Sequence, residues 1–429
     1  MSFCSAPTLK LRRKRKAKRP VPIKAMVNIK KIAFVSNSAW SVYNFRLDVV
    51  RFLLKQGYHI TVIAPDDGYS EKLVAEGCTY ISLSFDNKSE NPVSDYFLYL
   101  HLRRLYRKIK PDFIFHYVAK PNIYGSMAAS AENILSVAVV TGLGYPFAKK
   151  NLLFRIIKML YKKALRNVKE VWFLNNEDAK VFVTEHIVNI NKIKILPGEG
   201  VNTEYFAAGQ SPPLEGWTRR QSDTHKGLND AAGVGSPFEF LMSTRLLKSK
   251  GISLYADAAR ILKKKHYNVH FSLIGFFEKN HPDSITQEDL HKWEQEGLIN
   301  YYGFADDVRP YLTKADCFIF PSFYNEGVPR CLMEAASMEL PIITSNNRGC
   351  KEVVLNNSNG YLCNLNDPFD LADKMEKIIN LPEEERKKMG RNGRQLVLKK
   401  FDVSKIISEY ANTLISPFET PKHVDELKE

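Results

Sequence analysis

Short apolar runs alternate with longer amphipathic stretches along most of this chain, and that alternation leaves few folds open. KKIAFVS (30–36) is followed by VYNFRLDVVRFLLKQG (42–57) and then by HITVIAP from His59. The outer runs are apolar almost throughout, as strands covered on both faces are. The middle one repeats its apolar residues at helical spacing. A strand–helix–strand unit of this kind pairs its strands in parallel. The same order continues through TYISLSF, SDYFLYLHLRRLYRKIK, DFIFHY, NIYGSMAAS, VAVVT, EVWFLN and KIKILP. It restarts at FEFLMST with ISLYADAARILKKK, NVHFSLIG, DLHKWEQEG, INYYGF, CFIF and LPIIT. The fold class is therefore α/β, with doubly wound parallel sheets.

A chain of 429 residues is longer than one core usually serves, so two domains are expected. The break falls at LPGEGVNTEYF (196–206), and residues 210–236 are polar and without period, a surface insertion. The expected layout is a basic arm at 1–25, a first domain at 26–200, a linker with its insertion at 201–236 and a second domain at 237–400. A helix and tail at 401–429 would brace the two domains.

Several function classes drop out. The turn SNSAWS lacks glycine, so the G-x-G-x-x-G fingerprint of nicotinamide and flavin enzymes is absent. The six cysteines are scattered without a C-x-x-C pair, which fits reduced thiols in the cytosol and neither a disulfide frame nor a zinc site. Asp66 with Asp67, and Asp306 with Asp307, read as helix caps or turn residues, so no metal is expected. No apolar run reaches the roughly 18–20 residues that span a bilayer.

The net charge is +15, and nine of those cations lie in residues 1–25 with no acid among them. Two readings stand for that arm: a disordered segment binding anionic lipid or nucleic acid, or an upstream extension of a chain that starts at Met26. The segment 149–169 is basic and amphipathic, with Leu153, Ile156, Ile157, Leu160 and Ala164 on one face and Arg155, Lys158, Lys162, Lys163 and Arg166 around it. It reads as an interfacial helix meeting an anionic membrane, as an ordinary helix packed on the sheet, or as both.

The chemistry gathers at strand ends. In 321–354 the strand CFIF turns into a helix whose first turn is expected to carry Gly327 and Pro329, with Glu326 before it and Glu334 within it. Strand, turn and helix in that order aim backbone N–H groups at the carboxyl edge of the sheet, where phosphates bind. Arg245 and Lys250 follow the strand FEFLMS and suit a diphosphate, Arg as a fork and Lys as a point charge. NVHFSLIG ends in Gly275 on the same edge. In the first domain, His116 sits at the carboxyl end of its strand beside Lys120, a place suited to substrate contact. TGLGYPF carries Gly142 and Gly144, glycines that let a ligand or the other domain approach the backbone.

EGVPRCLMEAA, with SKG upstream and GCKEVV downstream, resembles the Glu-x7-Glu signature of the family 4 retaining glycosyltransferases. These have the GT-B fold, two Rossmann-like domains facing across a cleft. WSVYNFR, KPNIYGS, TGLG, LPGEGV, RLLKSKG, DDVR, NGYLC and FDVSKIISEY resemble landmarks of a bacterial branch that builds capsule, O-antigen and other lipid-linked glycans. The likeness runs from about Lys30 to Ile415.

The resemblance implies transfer of a hexosyl or N-acetylhexosaminyl group from a nucleoside-diphosphate sugar, UDP being the expected carrier, to a polyprenyl-diphosphate-linked saccharide. The enzyme would lie peripherally on the inner face of the plasma membrane, without cofactor, metal or nucleic acid. Arg245 and Lys250 would hold the donor diphosphate, Glu326 the sugar and Glu334 the ribose, while backbone from Gly327 through Val328 to Arg330 completes the donor site. Thr141 stands where many relatives have histidine, so the resemblance carries no histidine role to this position. Thr141, Gly142 and Gly144 would line the acceptor side. No carboxylate is placed as a nucleophile, which favours same-face substitution assisted by the diphosphate. The alternatives are a soluble acceptor, a sugar-nucleotide epimerase, or a non-enzyme that binds an anionic surface or nucleic acid through the arm.

Overall fold

The computed structural model describes residues 29–416 except 86–90, 144–146, 148–150, 211, 213–236, 266–267, 279–280 and 325. The basic arm and nearly all of the polar insertion therefore lie outside the described residues. In the first half the strands are β1 (Lys31–Val35), β2 (His59–Ala64), β3 (Thr79–Ser82), β4 (Phe113–Tyr117), β5 (Leu135–Val140), β6 (Glu170–Phe173) and β7 (Ile193–Ile195). They form one parallel sheet in the order β3-β2-β1-β4-β5-β6-β7. The second half supplies β8 (Phe238–Ser243), β9 (Val269–Ile274), β10 (Asn300–Tyr301), β11 (Cys317–Phe320), β12 (Ile342–Ser345) and β13 (Gly360–Cys363). Their order, β10-β9-β8-β11-β12-β13, is again parallel throughout. Each sheet reverses its winding once, between β1 and β4 and between β8 and β11, and such reversals open crevices at the carboxyl ends of the strands.

The first helix, Ala39–Lys55, starts ahead of the Val42 that periodicity indicates. Its cap lies inside the glycine-free turn: Ser38 Oγ accepts from the Ser41 N–H at 3.1 Å, and the Asp67 carboxylate accepts from the Trp40 N–H at 3.0 Å. Those two acceptors satisfy orphan donors of the first turn, which lets the helix begin earlier.

One face of the first sheet presents Phe34, Phe115, Val137, Val139 and Trp172 to helix Ala39–Lys55 and to the last helix, Val403–Ile415. Tyr410 of that last helix lies 4.7 Å from the Phe115 ring and 4.8 Å from Trp172 by centroid, and its hydroxyl meets that of Tyr117 at 2.7 Å. The chain thus returns from the second domain to finish the core of the first. On the way back it runs beside the hinge, where Val201 donates to Phe401 O and Val403 donates to Val201 O, both at 2.9 Å.

The other face carries Ala33, Val35, Ile114, Ala138, Val140, Val171 and Phe173 under a layer of helices. Helix Pro92–Ile109 and helix Leu152–Ala164 both pack on the segment between them, a π-helical turn Pro121–Gly125 running into helix Ser126–Ala131. His116 points into this layer and is fully buried, with Tyr106 Oη 2.9 Å from Nε2 and Ser126 Oγ 3.3 Å from Nδ1. That corrects the expectation of substrate contact: strand position set its height at the sheet edge, but its parity turned it inward. Burial lowers its pKa to about 3. Lys120 is held in the same layer, its ammonium 2.6 Å from Asp95, whose carboxylate also accepts from Tyr124 Oη at 2.8 Å.

Tyr410→Ala empties an aromatic site in the core and is expected to lower stability by about 3–5 kcal/mol, read from urea unfolding. His116 stays neutral in the folded chain between its ordinary pKa and about 3, while the unfolded chain takes up a proton there. Stability therefore falls as pH drops below the ordinary value, by up to about 1.4 kcal/mol per pH unit. Between pH 7 and pH 5 the parent should lose about 2 kcal/mol more than His116→Gln in the same unfolding measurement.

Candidate active site

The carboxyl ends of β8 and β11 lie side by side because the two strands pair directly. Beyond β8 the chain turns through Lys248–Lys250 to Gly251, whose φ is +83°. A Cβ at Gly251 would lie 2.3 Å from Pro321 O, so glycine alone lets the Lys250 turn close on the end of β11. Lys250 is buried and ion-pairs with Glu326, and Ser322 Oγ donates to the same Glu326 oxygen at 2.8 Å. The Lys250 ammonium also lies 5.2 Å from the centre of the Tyr324 ring. Arg245 stands apart from this pair, with Nη1 2.6 Å from Glu278. Of the two cations read from sequence, Lys250 is the one the structure brings to Glu326.

The helix after Glu326 spans Arg330–Ser337, with Pro329 as its extended N-cap and no side chain capping its N–H groups. Gly327 and Pro329 thus precede the helix rather than forming its first turn. The cause is a squeeze on both sides of the loop. A Cβ on Gly327 would lie 2.8 Å from Thr141 O in the first domain, and one on Gly349 would lie 1.3 Å from Gly327 O. Gly349 has φ +69°, a second reason for glycine there. Val328 is buried against Gly198 of the hinge.

Within the helix, Arg330 Nε donates to Glu334 at 2.9 Å, and its Nη1 donates to Asn44 O of the first domain. Burial pushes the Glu334 carboxyl up, against the pull of Arg330. Gly275 has a packing reason for its identity, since a Cβ there would lie 1.8 Å from Thr244 O. Gly142 faces open space, and Gly144 lies outside the described residues.

Sequence reasoning missed the contacts that cross the cleft. Lys351 pairs with Glu177 at 3.0 Å, and Arg348 lies 3.8 Å from Asp178. Asp178 is buried, and burial pushes its carboxyl up to about 6 despite the Asn175 amide that donates to it at 3.1 Å. Asp306 accepts from Tyr69 Oη at 3.2 Å, and Trp40 meets Phe276 edge-on at 6.1 Å. The signal was present in part: Glu177 and Asp178 head a helix after β6, and Arg348 and Lys351 follow β12. A buried ion pair of Arg46 with Glu199, the acid between the two hinge glycines, was also missed. Asp66 accepts from the Gly68 N–H at 3.2 Å, and Asp307 chelates Arg309. Among the described residues no cluster of three metal-ligating side chains occurs, and no helix is long and apolar enough to cross a membrane.

Two family models match the chain: "Glycosyl transferase 4-like" over residues 31–175 and "Glycosyl transferases group 1" over 230–396. Among curated proteins, the Campylobacter jejuni N,N'-diacetylbacillosaminyl-diphospho-undecaprenol alpha-1,3-N-acetylgalactosaminyltransferase is 28% identical over 385 residues, 89% of this chain and 97% of that one. The Escherichia coli UDP-Gal:alpha-D-GlcNAc-diphosphoundecaprenol alpha-1,3-galactosyltransferase is 26% identical, covering 82% of this chain and 84% of that one. Among solved structures, Anabaena Alr3699/HepE in complex with UDP and glucose superposes with a TM-score of 0.73 at 19% identity, over 90% of this chain and all of that one. Both halves of the cleft match, one model to each sheet, and the chain belongs to the family 4 glycosyltransferases of the GT-B fold.

Proposed function

We propose that this protein is a retaining glycosyltransferase that moves a hexosyl or N-acetylhexosaminyl group from a UDP-sugar to a polyprenyl-diphosphate-linked saccharide at the inner membrane face. The observation that carries the reading is the Lys250–Glu326 pair, set at the joined ends of β8 and β11 and opposite Thr141 of the other domain. The Campylobacter and Escherichia relatives, both named for undecaprenol-diphosphate-linked substrates and alpha linkages, support the acceptor class and the retained configuration.

In this mechanism the ammonium of Lys250 and the uncapped N–H groups at Arg330 stabilise the negative charge that grows on the diphosphate as the sugar departs. Arg245, at the rim, adds a second cation. Glu326 accepts hydrogen bonds from the sugar hydroxyls, and Glu334 does so from the ribose. The acceptor hydroxyl enters from the Thr141 side, and its oxygen bonds to the sugar on the face the diphosphate leaves, its proton passing to the departing phosphate oxygen. Chain cations carry the leaving-group charge, so no metal is invoked.

Membrane contact falls to helix Leu152–Ala164. It buries Phe154, Tyr161 and Ala164 against the sheet. Ile156 does not join that face as expected from sequence. It is 44% exposed, with Leu152 at 71% and Met159 at 63%, because positions four and seven apart share a helical face. The helix is apolar on two sides.

Lys250→Ala and Glu326→Ala should each lower transfer by about 10²–10³-fold, measured as UDP release with a polyprenyl-diphosphate-linked acceptor pool, while circular dichroism at the assay temperature shows the parental fold. Transfer at the parental rate in either variant rejects the assignment. Turnover should also be unchanged in excess EDTA, and a requirement for added Mg²⁺ would contradict the metal-free reading.

A further inference from the structure

Helix Pro92–Ile109 buries Leu98, Leu102 and Tyr106 in the first domain, a strict four-residue repeat. Its opposite side is not polar. Val93, Tyr96 and Phe97 are 60%, 59% and 63% exposed, and Arg104 and Lys108 continue that side toward the C-terminus. Asp95, the one acid in the helix, is turned inward to Lys120 and Tyr124. Arg103 and Arg107 share Glu132, which leaves Arg104 and Lys108 as cations without a carboxylate partner among the described residues.

This helix flanks the 121–131 segment on one side and helix Leu152–Ala164 flanks it on the other. Of sixteen large apolar side chains exposed among the described residues, six lie on these two helices: Val93, Tyr96, Phe97, Leu152, Ile156 and Met159. Such clustering within one helical layer marks an interaction surface rather than scattered surface residues.

Charge identifies the partner. Residues 26–200 hold 24 Lys and Arg against 15 Asp and Glu, a net +9, whereas residues 201–429 sum to −3. A second copy of the chain would set this patch against itself in a two-fold contact and bring like cations together. An anionic bilayer presents phosphates to the cations and acyl chains to the apolar residues.

We propose that helix Pro92–Ile109 is a second membrane-contacting element, which lays Val93, Tyr96 and Phe97 into the headgroup–acyl boundary with Arg104 and Lys108 on lipid phosphates. The proposal rests on the reading that the enzyme works at the membrane face. One helix alone leaves the domain free to roll about its axis. Two helices on either side of 121–131 fix the roll, and with it the direction in which the cleft meets a lipid-linked diphosphate.

The test is sedimentation of the full chain with vesicles of phosphatidylcholine alone and of phosphatidylcholine with phosphatidylglycerol. The parent should bind the anionic vesicles, and less so at high salt. The double variants Tyr96→Ser/Phe97→Ser and Arg104→Glu/Lys108→Glu should each lower that partitioning by about tenfold or more. Thermal unfolding, UDP affinity by calorimetry and sedimentation velocity without lipid should stay at the parental values. Parental vesicle binding in both variants overturns the proposal, and so does a variant that loses binding only because a dimer has become a monomer. Vesicle binding that responds to the variants in a chain that binds no UDP supports this surface while overturning the transferase reading.

Discussion

The site depends on one ammonium and one carboxylate kept together in a nearly dry loop. Removing either partner of a buried ion pair costs about 3–5 kcal/mol, because the other charge is left without water or counterion. Lys250 and Glu326 are 76 residues apart in sequence, and only the pairing of β8 with β11 makes them neighbours. One backbone device and one side chain hold the geometry. Gly251 lets the Lys250 turn sit on Pro321, and Ser322 donates to the carboxylate from the strand end itself. In the proposed reaction an arriving diphosphate replaces one anionic partner of the lysine with another. The released carboxylate then has sugar hydroxyls to accept from, so neither charge is stranded.

The cleft is set by backbone more than by charge. Thr141 O, Gly327 and Gly349 stack so closely that no side chain fits between them, and this contact joins the turn after β5 of one sheet to the turns after β11 and β12 of the other. The ion pairs around it are of two kinds. Lys351 and Glu177 retain access to water, and such pairs contribute about 0–1 kcal/mol each. Asp178 is buried, and its raised pKa shows that Arg348 and Asn175 do not fully offset its desolvation. An acid in that position gains from any opening that rehydrates it. Tyr410 and the paired hinge segments supply a tether that does not depend on the cleft being closed.

The strands of both sheets were legible because a parallel strand buried on both faces has few other appearances, and CFIF or HITVIA can be little else. Lys250 and Glu326 could be singled out from sequence as charged residues after neighbouring strands, and the structure brings them together. Orientation was not legible. His116 lies near the end of β4 and Thr141 just past β5 on the same sheet edge, yet one is sealed beneath Tyr106 while the other places its carbonyl against the opposite domain. Parity sets which face of the sheet a strand residue meets, but whether that face is sealed at the edge depends on the helix that covers it. Helix Leu152–Ala164 shows the same limit in another form. Apolar residues at helical spacing reveal that a face is apolar, but here two faces satisfy the pattern and only packing on the sheet tells which is outward.

Arg330 draws the two domains and Glu334 into one arrangement. A guanidinium has donors enough to face in two directions at fixed angles, which an ammonium lacks. One edge takes Glu334, four residues along the same helix, and the other takes the Asn44 carbonyl from the helix that follows β1. Glu334 lies in a dry environment that raises its pKa, and Arg330 is the cation that opposes this. Arg330 stays in position because Asn44 holds its far edge, and Asn44 is within reach only while the domains are together. The arrangement is in this sense incomplete in either domain alone: the carboxylate belongs to the second, and the carbonyl that holds its arginine partner belongs to the first.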